Sequence, residues 1–88
     1  MHKLHIHRTG LAIGAFIATL HAAWSVLVAT GKAKAYLSFV FGMHFLSNPF
    51  TTLAFSWKGA LMLVILTGIV GYVIGTVFAC IWNRIVAR

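Results

Sequence analysis

One histidine, His21, lies near the middle of an apolar stretch of the chain and is its most chemically distinctive residue. An ionisable side chain in the middle of a membrane span is costly, which makes it a functional candidate. Its imidazole has three possible roles. It could form a hydrogen bond with a hydroxyl of the other span, from Thr67 or Tyr72 at similar depth, or it could be the axial ligand of haem or a bacteriochlorophyll-type pigment. The third possibility is proton transfer or contact with another subunit. Trp24, three residues further on, adds support to the pigment interpretation.

Three more histidines, His2, His5 and His7, are clustered near the start of the chain. Imidazole nitrogens suit copper and nickel, so this cluster and the terminal amine form a candidate metal site. Zinc would need further ligands held in place. The alternative is a basic collar that lies among lipid headgroups.

Other catalytic chemistry is scarce, because the chain has seven Lys and Arg and no Asp or Glu. Carboxylate-based proton transfer and carboxylate sites for hard cations are therefore ruled out. There is no phosphate-binding glycine loop and no Ser, His and acid set. The basic residues stand singly at the ends of apolar runs, a distribution that favours anionic headgroups over nucleic acid. We expect a non-enzymatic protein, with no cofactor unless His21 binds one, and expect Cys80 to be a small buried residue.

Two apolar runs must position these side chains, and they predict membrane spans over residues 10–30 and 57–82. At ~1.5 Å per residue, each is long enough to cross a hydrocarbon core of ~30 Å. Basic tails over residues 1–9 and 83–88 flank them. Aromatic and basic residues at the span ends are typical of the lipid interface: Lys32, Lys34, Trp57, Lys58, Trp82 and Arg84.

The connection between the spans is too apolar for a solvated loop and too short to cross the membrane. Residues 33–46 have a narrow polar strip of Lys34, Ser38 and Gly42 opposite an apolar face, which predicts an amphipathic helix lying in the interface. Residues 47–56 form a loop that is either re-entrant or flat on the membrane. The predicted fold class is thus an all-α membrane protein, a two-transmembrane-helix antiparallel hairpin with an interfacial amphipathic helix in the connection.

Small residues recur at every fourth position of both spans, so that each span has one smooth face. Such faces let two helix backbones approach closely, and close van der Waals contact holds helices together in lipid. We predict that they pack the hairpin against itself or against other subunits. The residues are Gly10, Gly14, Ala18 and Ala22 in the first span, and Thr67, Gly68, Gly71, Gly75 and Ala79 in the second.

Two spans put both termini on one side of the membrane. Four basic residues fall on that side against three on the connecting side, which favours cytoplasmic termini. The basic start, the apolar run and the small residues of 33–35 also imitate a cleavable secretory signal, but the run exceeds the ~7 to 15 residues of a signal core. We therefore expect a signal anchor and a multi-pass protein of the bacterial inner membrane.

Five short segments stand out along the chain: Lys3-Leu4-His5, Gly10-Leu11-Ala12, Leu20-His21-Ala22-Ala23-Trp24-Ser25, Met43-His44-Phe45 and Gly71-Tyr72-Val73-Ile74-Gly75. With these segments the chain resembles a bacterial family of small two-span membrane proteins of unknown function. The resemblance implies the same two-span architecture but no mechanism, because that family has no established activity.

These observations favour a structural or accessory subunit that assembles through its glycine and alanine faces with itself or with a larger membrane complex. The alternative is a cofactor-binding subunit in which His21 is the axial ligand.

Overall fold

The computed structural model describes residues 2–87 and contains three α-helices and, within those residues, no β-strand. The helices are α1 (Ile6–Ala29), α2 (Ala33–Met43) and α3 (Trp57–Val86). The long helices α1 and α3 pack against each other. Met1 and Arg88, which belong to the two predicted basic tails, lie outside the described residues.

Helix α1 begins four residues before the predicted span because His5 caps it. The His5 Nδ1 accepts the Arg8 amide hydrogen at 3.2 Å, satisfying a donor that would otherwise have no partner at the helix start. The helix ends in a left-handed glycine, Gly31, with φ of 76°. There the Lys32 amide donates to the Leu27 carbonyl at 2.9 Å, the bond that closes a Schellman motif.

Helix α2 ends three residues earlier than predicted, because Phe45 adopts a left-handed conformation with φ of 62°. The Leu46 amide then donates to the Phe41 carbonyl at 2.8 Å, again closing a Schellman motif. Asn48 holds the chain that follows α2 against that helix. Its side-chain amide donates to the Ser38 hydroxyl at 3.2 Å, and its side-chain oxygen accepts a hydrogen bond from the Phe50 amide at 2.9 Å. The connection therefore folds back along α2.

Helix α3 follows an extended stretch and is longer than the predicted span. The Ser56 hydroxyl caps it by accepting the Gly59 amide at 3.3 Å. The helix continues four residues beyond the predicted end at 82, and its 30 residues extend over about 45 Å. Antiparallel packing of α1 and α3 brings the two ends of the chain together.

Burial in this molecule is the reverse of that in a soluble protein. The buried residues are all Gly or Ala, and no large side chain among residues 2–87 is fully buried. In the most apolar 18-residue stretches of α1 and α3 only 6% and 11% of the residues are buried, although both helices are long and apolar enough to cross a membrane. Cys80 is exposed, so the expectation that it is buried was wrong.

Candidate functional site

The two small-residue faces meet in a seam between α1 and α3, where backbone lies against backbone. A methyl group on Gly71 would lie 2.9 Å from the Gly14 Cα, and one on Gly75 would lie 2.8 Å from the Gly10 Cα. Contacts this short leave no space for a side chain. At these positions the pairing of α1 with α3 therefore needs glycine for close approach.

The seam opens gradually towards the connecting end of the hairpin. A methyl group on Gly68 would lie 3.4 Å from the Ala18 Cβ, an ordinary contact. Ala22 and Thr67 are half-buried, whereas Ala79, at the opposite end, is fully buried. The tightest contacts therefore lie in the half of the hairpin that carries the chain termini.

No side-chain hydrogen bond crosses the seam from residues 10–29 of α1 to helix α3. The hydroxyls of Thr19, Ser25, Thr67 and Thr76 donate instead to carbonyls three or four residues earlier in their own helices, at 2.7 to 3.0 Å. Within one helix such bonds satisfy the hydroxyls without a partner. Van der Waals contact is left to hold this part of the seam.

His21 is half-buried in α1 and is bonded within its own helix. Its Nδ1 donates to the Ile17 carbonyl at 2.9 Å. The predicted bond to Thr67 or Tyr72 is not formed, because the Thr67 hydroxyl donates to the Leu63 carbonyl and the Tyr72 hydroxyl lies beside another histidine. The predicted bond assumed that the midpoints of the two spans lie at the same depth. The glycine contacts instead set a register in which His21 lies at the level of residue 64 of α3.

The histidines near the chain start have separate partners. His5 caps α1, while the His7 Nδ1 and the Tyr72 hydroxyl share a hydrogen bond of 2.7 Å, with their rings edge to face at 5.6 Å. In the part of the chain that the structure describes, no three His, Cys, Asp or Glu side chains are grouped to hold a metal ion. The structure therefore does not bring His2, His5 and His7 together.

The last turns of α3 bind the N-terminal tail through its backbone. The Leu4 amide donates to the Asn83 Oδ1 at 2.6 Å, and the Asn83 Nδ2 donates to the Leu4 carbonyl at 2.8 Å. The Trp82 indole donates to the His2 carbonyl at 3.0 Å. We call these three bonds the terminal clamp. Asn83 was not predicted to bind the tail, although an uncharged amide at the end of an apolar span was a usable indication.

A crevice of about 590 Å³ opens at the connecting end of the hairpin. Trp24 and Val28 of α1 form one wall, Leu63 of α3 forms another, and the extended residues 50–56 border the crevice. Here α1 and α3 no longer present paired glycines, so larger side chains separate them. Most of the lining is apolar, and the volume is in the range of small-molecule sites.

The residues predicted at the lipid interface lie at the helix ends. Lys32 and Lys34 flank the start of α2, Trp57 and Lys58 begin α3, and Trp82 and Arg84 lie in its last two turns.

Comparison with models of protein families, with curated proteins and with solved structures gives no match for this chain. Function is therefore inferred from the residues and contacts of the chain itself.

Proposed function

We propose that the chain is a non-enzymatic integral membrane protein, in which α1 and α3 cross the bilayer as a hairpin. The inverted burial carries the proposal: the buried residues are Gly and Ala, while large side chains such as Leu61, Ile65 and Ile69 face outwards. In water so much exposed apolar surface would drive association. In a hydrocarbon core the same surface is fully solvated.

The connecting helix α2 lies in the membrane interface. Exposed Tyr36, Phe39 and Met43 support this position, because they form an apolar face without a partner among residues 2–87. Phe45, with 97% of its side chain exposed, adds an aromatic anchor at the end of the helix. Lys34 is placed to reach headgroups from the same segment.

The hairpin serves as a structural or accessory subunit, and the outward face of α1 supports this role. Ala12, Thr19 and Ala23 are exposed on that face together with Phe16, whereas Ala15 borders the groove between α1 and α3. The outward face of α3 carries large aliphatic side chains instead, as expected for contact with lipid. The small residues on either side of Phe16 suit close packing of a further transmembrane helix, from another copy or from a larger complex.

Gentle solubilisation followed by mass measurement of the purified particle tests this role. Ala12→Leu with Ala23→Leu adds bulk to the outward face of α1, and the matched control Val70→Leu adds bulk to the outward face of α3. We expect the wild-type chain and the control to migrate as an assembly, and the α1 variant to migrate as a single hairpin. A wild-type protein that is monomeric and carries no other subunit would contradict the accessory role.

The proposed location is the inner membrane of a bacterium, with both termini in the cytoplasm. The small excess of basic residues on the terminal side supports this orientation. Single cysteines in a Cys80→Ala background, at Thr51 in the connection or Ala87 at the end of α3, would report the orientation through an impermeant thiol reagent. Labelling of the Ala87→Cys variant in intact cells would contradict it.

A cofactor-binding subunit is the second candidate, and the geometry of His21 favours it. Because Nδ1 donates to the Ile17 carbonyl, a neutral imidazole keeps its Nε2 lone pair free, the arrangement that histidine ligands commonly use. Absorbance of the purified protein at visible wavelengths, lost in His21→Ala, would support haem or a chlorophyll-type pigment. A spectrum containing only the aromatic band would rule this candidate out.

A further inference from the structure

The crevice at the connecting end is lined by residues from all three helices and from the extended residues 50–56. Its walls are apolar, with Ser25, Thr51 and Thr52 adding hydroxyls. A ligand that fits would combine an apolar body with a polar end.

Three lysines are close along the chain to residues that line the crevice. Lys58 is next to the lining residue Gly59, Lys34 lies one turn before the lining residue Leu37, and Lys32 precedes the same helix. The sequence contains no Asp or Glu, so no carboxylate side chain neutralises these three ammonium groups. An anion is the complementary partner.

The chain segment along the crevice also offers unused polar groups. Within residues 2–87, the backbone amides and carbonyls of residues 51–55 have no hydrogen-bond partner in the chain, and neither does the Trp24 indole. Unpaired backbone groups are costly in contact with hydrocarbon and are favourable beside a polar headgroup or ester. They place the polar part of the ligand along residues 51–55.

We propose that this crevice binds one anionic phospholipid, with an acyl chain against Trp24 and Leu63 and the phosphate within reach of Lys34 and Lys58. The inference rests on the proposed membrane location. An acyl chain fits the apolar lining, the phosphate matches the uncompensated lysines, and the glycerol esters lie at the level of residues 51–55.

Quenching of tryptophan fluorescence by brominated lipids tests the site directly, because Trp24 lines it. A reporter variant keeps Trp24 alone, through Trp57→Phe and Trp82→Phe. It is reconstituted in phosphatidylcholine vesicles that contain increasing fractions of brominated phosphatidylglycerol or, separately, brominated phosphatidylcholine. A second reporter keeps only Trp82, at the terminal end, through Trp24→Phe and Trp57→Phe.

We expect half-maximal quenching of Trp24 at roughly fivefold less brominated phosphatidylglycerol than brominated phosphatidylcholine for each lysine that contacts the phosphate. Lys34→Gln with Lys58→Gln should abolish this preference. The matched control, Lys3→Gln with Arg84→Gln, removes the same charge at the terminal end and should retain it. Ala60→Phe, which fills the crevice, should abolish the preference as well, whereas Ala23→Phe on the outward face of α1 should not.

Equal quenching of Trp24 by the two lipids would overturn the inference. An equal preference for phosphatidylglycerol at Trp24 and Trp82 would also overturn it, and so would an equal loss of that preference in both charge variants. Either result would reflect a general attraction of anionic lipid to a basic protein. A preference that survives Lys34→Gln with Lys58→Gln would also overturn it. If no brominated lipid quenches either reporter, the membrane location itself fails, and the inference fails with it.

Discussion

The carbonyl oxygen of Gly68 lies 2.7 Å from the position that a methyl group on Gly14 would occupy. A carbonyl in the middle of a long helix cannot move aside as a side chain can. The closest approach of α1 to α3 is therefore set by two backbones, and this contact decides which substitutions the seam tolerates.

Gly14→Ala should destabilise the hairpin although alanine is the better helix former. Alanine gains about 1 kcal/mol of helix propensity over glycine, whereas overpacking against a backbone costs ~1 to 3 kcal/mol. Unfolding by sodium dodecyl sulfate in mixed micelles, followed by tryptophan fluorescence, measures the difference. Gly42→Ala is the matched control, because nothing lies within 4 Å of its added methyl group. A Gly14→Ala midpoint equal to that of Gly42→Ala would contradict the close seam.

Gly10→Ala should be milder than Gly14→Ala, because its neighbours belong to side chains. Its methyl group would lie 2.7 Å from the Thr76 Cγ2 and 2.9 Å from the Tyr72 ring. Both side chains can rotate away at the cost of a strained rotamer, roughly 0.5–1.5 kcal/mol. The same unfolding assay ranks the two variants. The prediction fails if Gly10→Ala is the more damaging change.

The two left-handed residues should respond to substitution in opposite directions. Gly31→Ala places a side chain in a conformation that disfavours it, and should cost about 1 kcal/mol. Phe45→Gly removes such strain and should increase stability by up to about 1 kcal/mol. The greater conformational freedom of glycine in the unfolded chain reduces this gain. Little packing against the rest of the chain is lost, because Phe45 is almost fully exposed. Midpoints that shift in the same direction would contradict the assignment of both caps.

Asn83→Ala should release the N-terminal tail without unfolding the hairpin. Two partly buried hydrogen bonds are lost, each worth about 0.5–1.5 kcal/mol. Local detachment of the tail from α3 should therefore become at least roughly tenfold more frequent. The rate of trypsin cleavage after Lys3 reports the opening. Asn83→Asp keeps the acceptor and loses the donor, so its effect should be smaller. Cleavage at the wild-type rate in Asn83→Ala would show that the clamp does not restrain the tail.

The overall helix arrangement followed from local sequence patterns, whereas the cross-chain polar contacts did not. Small residues at four-residue spacing predicted the smooth faces that contain Gly14 and Gly71, because helical periodicity is local. The depth of His21 relative to Thr67 was mispredicted, because register depends on which glycines pair across the seam. The helix ends shifted for a related reason: His5 and Phe45 act through cap geometry, which residue type alone does not specify.

The terminal clamp also has a consequence for the order of events during synthesis. Leu4 and Asn83 are 79 positions apart, so the residue that holds the tail is translated long after the tail itself. At ~5 to 20 residues per second, the tail waits several seconds before its partner exists. Throughout that interval the N-terminal segment is free to meet the insertion machinery. Its docking against α3 marks the completion of the hairpin, after both long helices have formed.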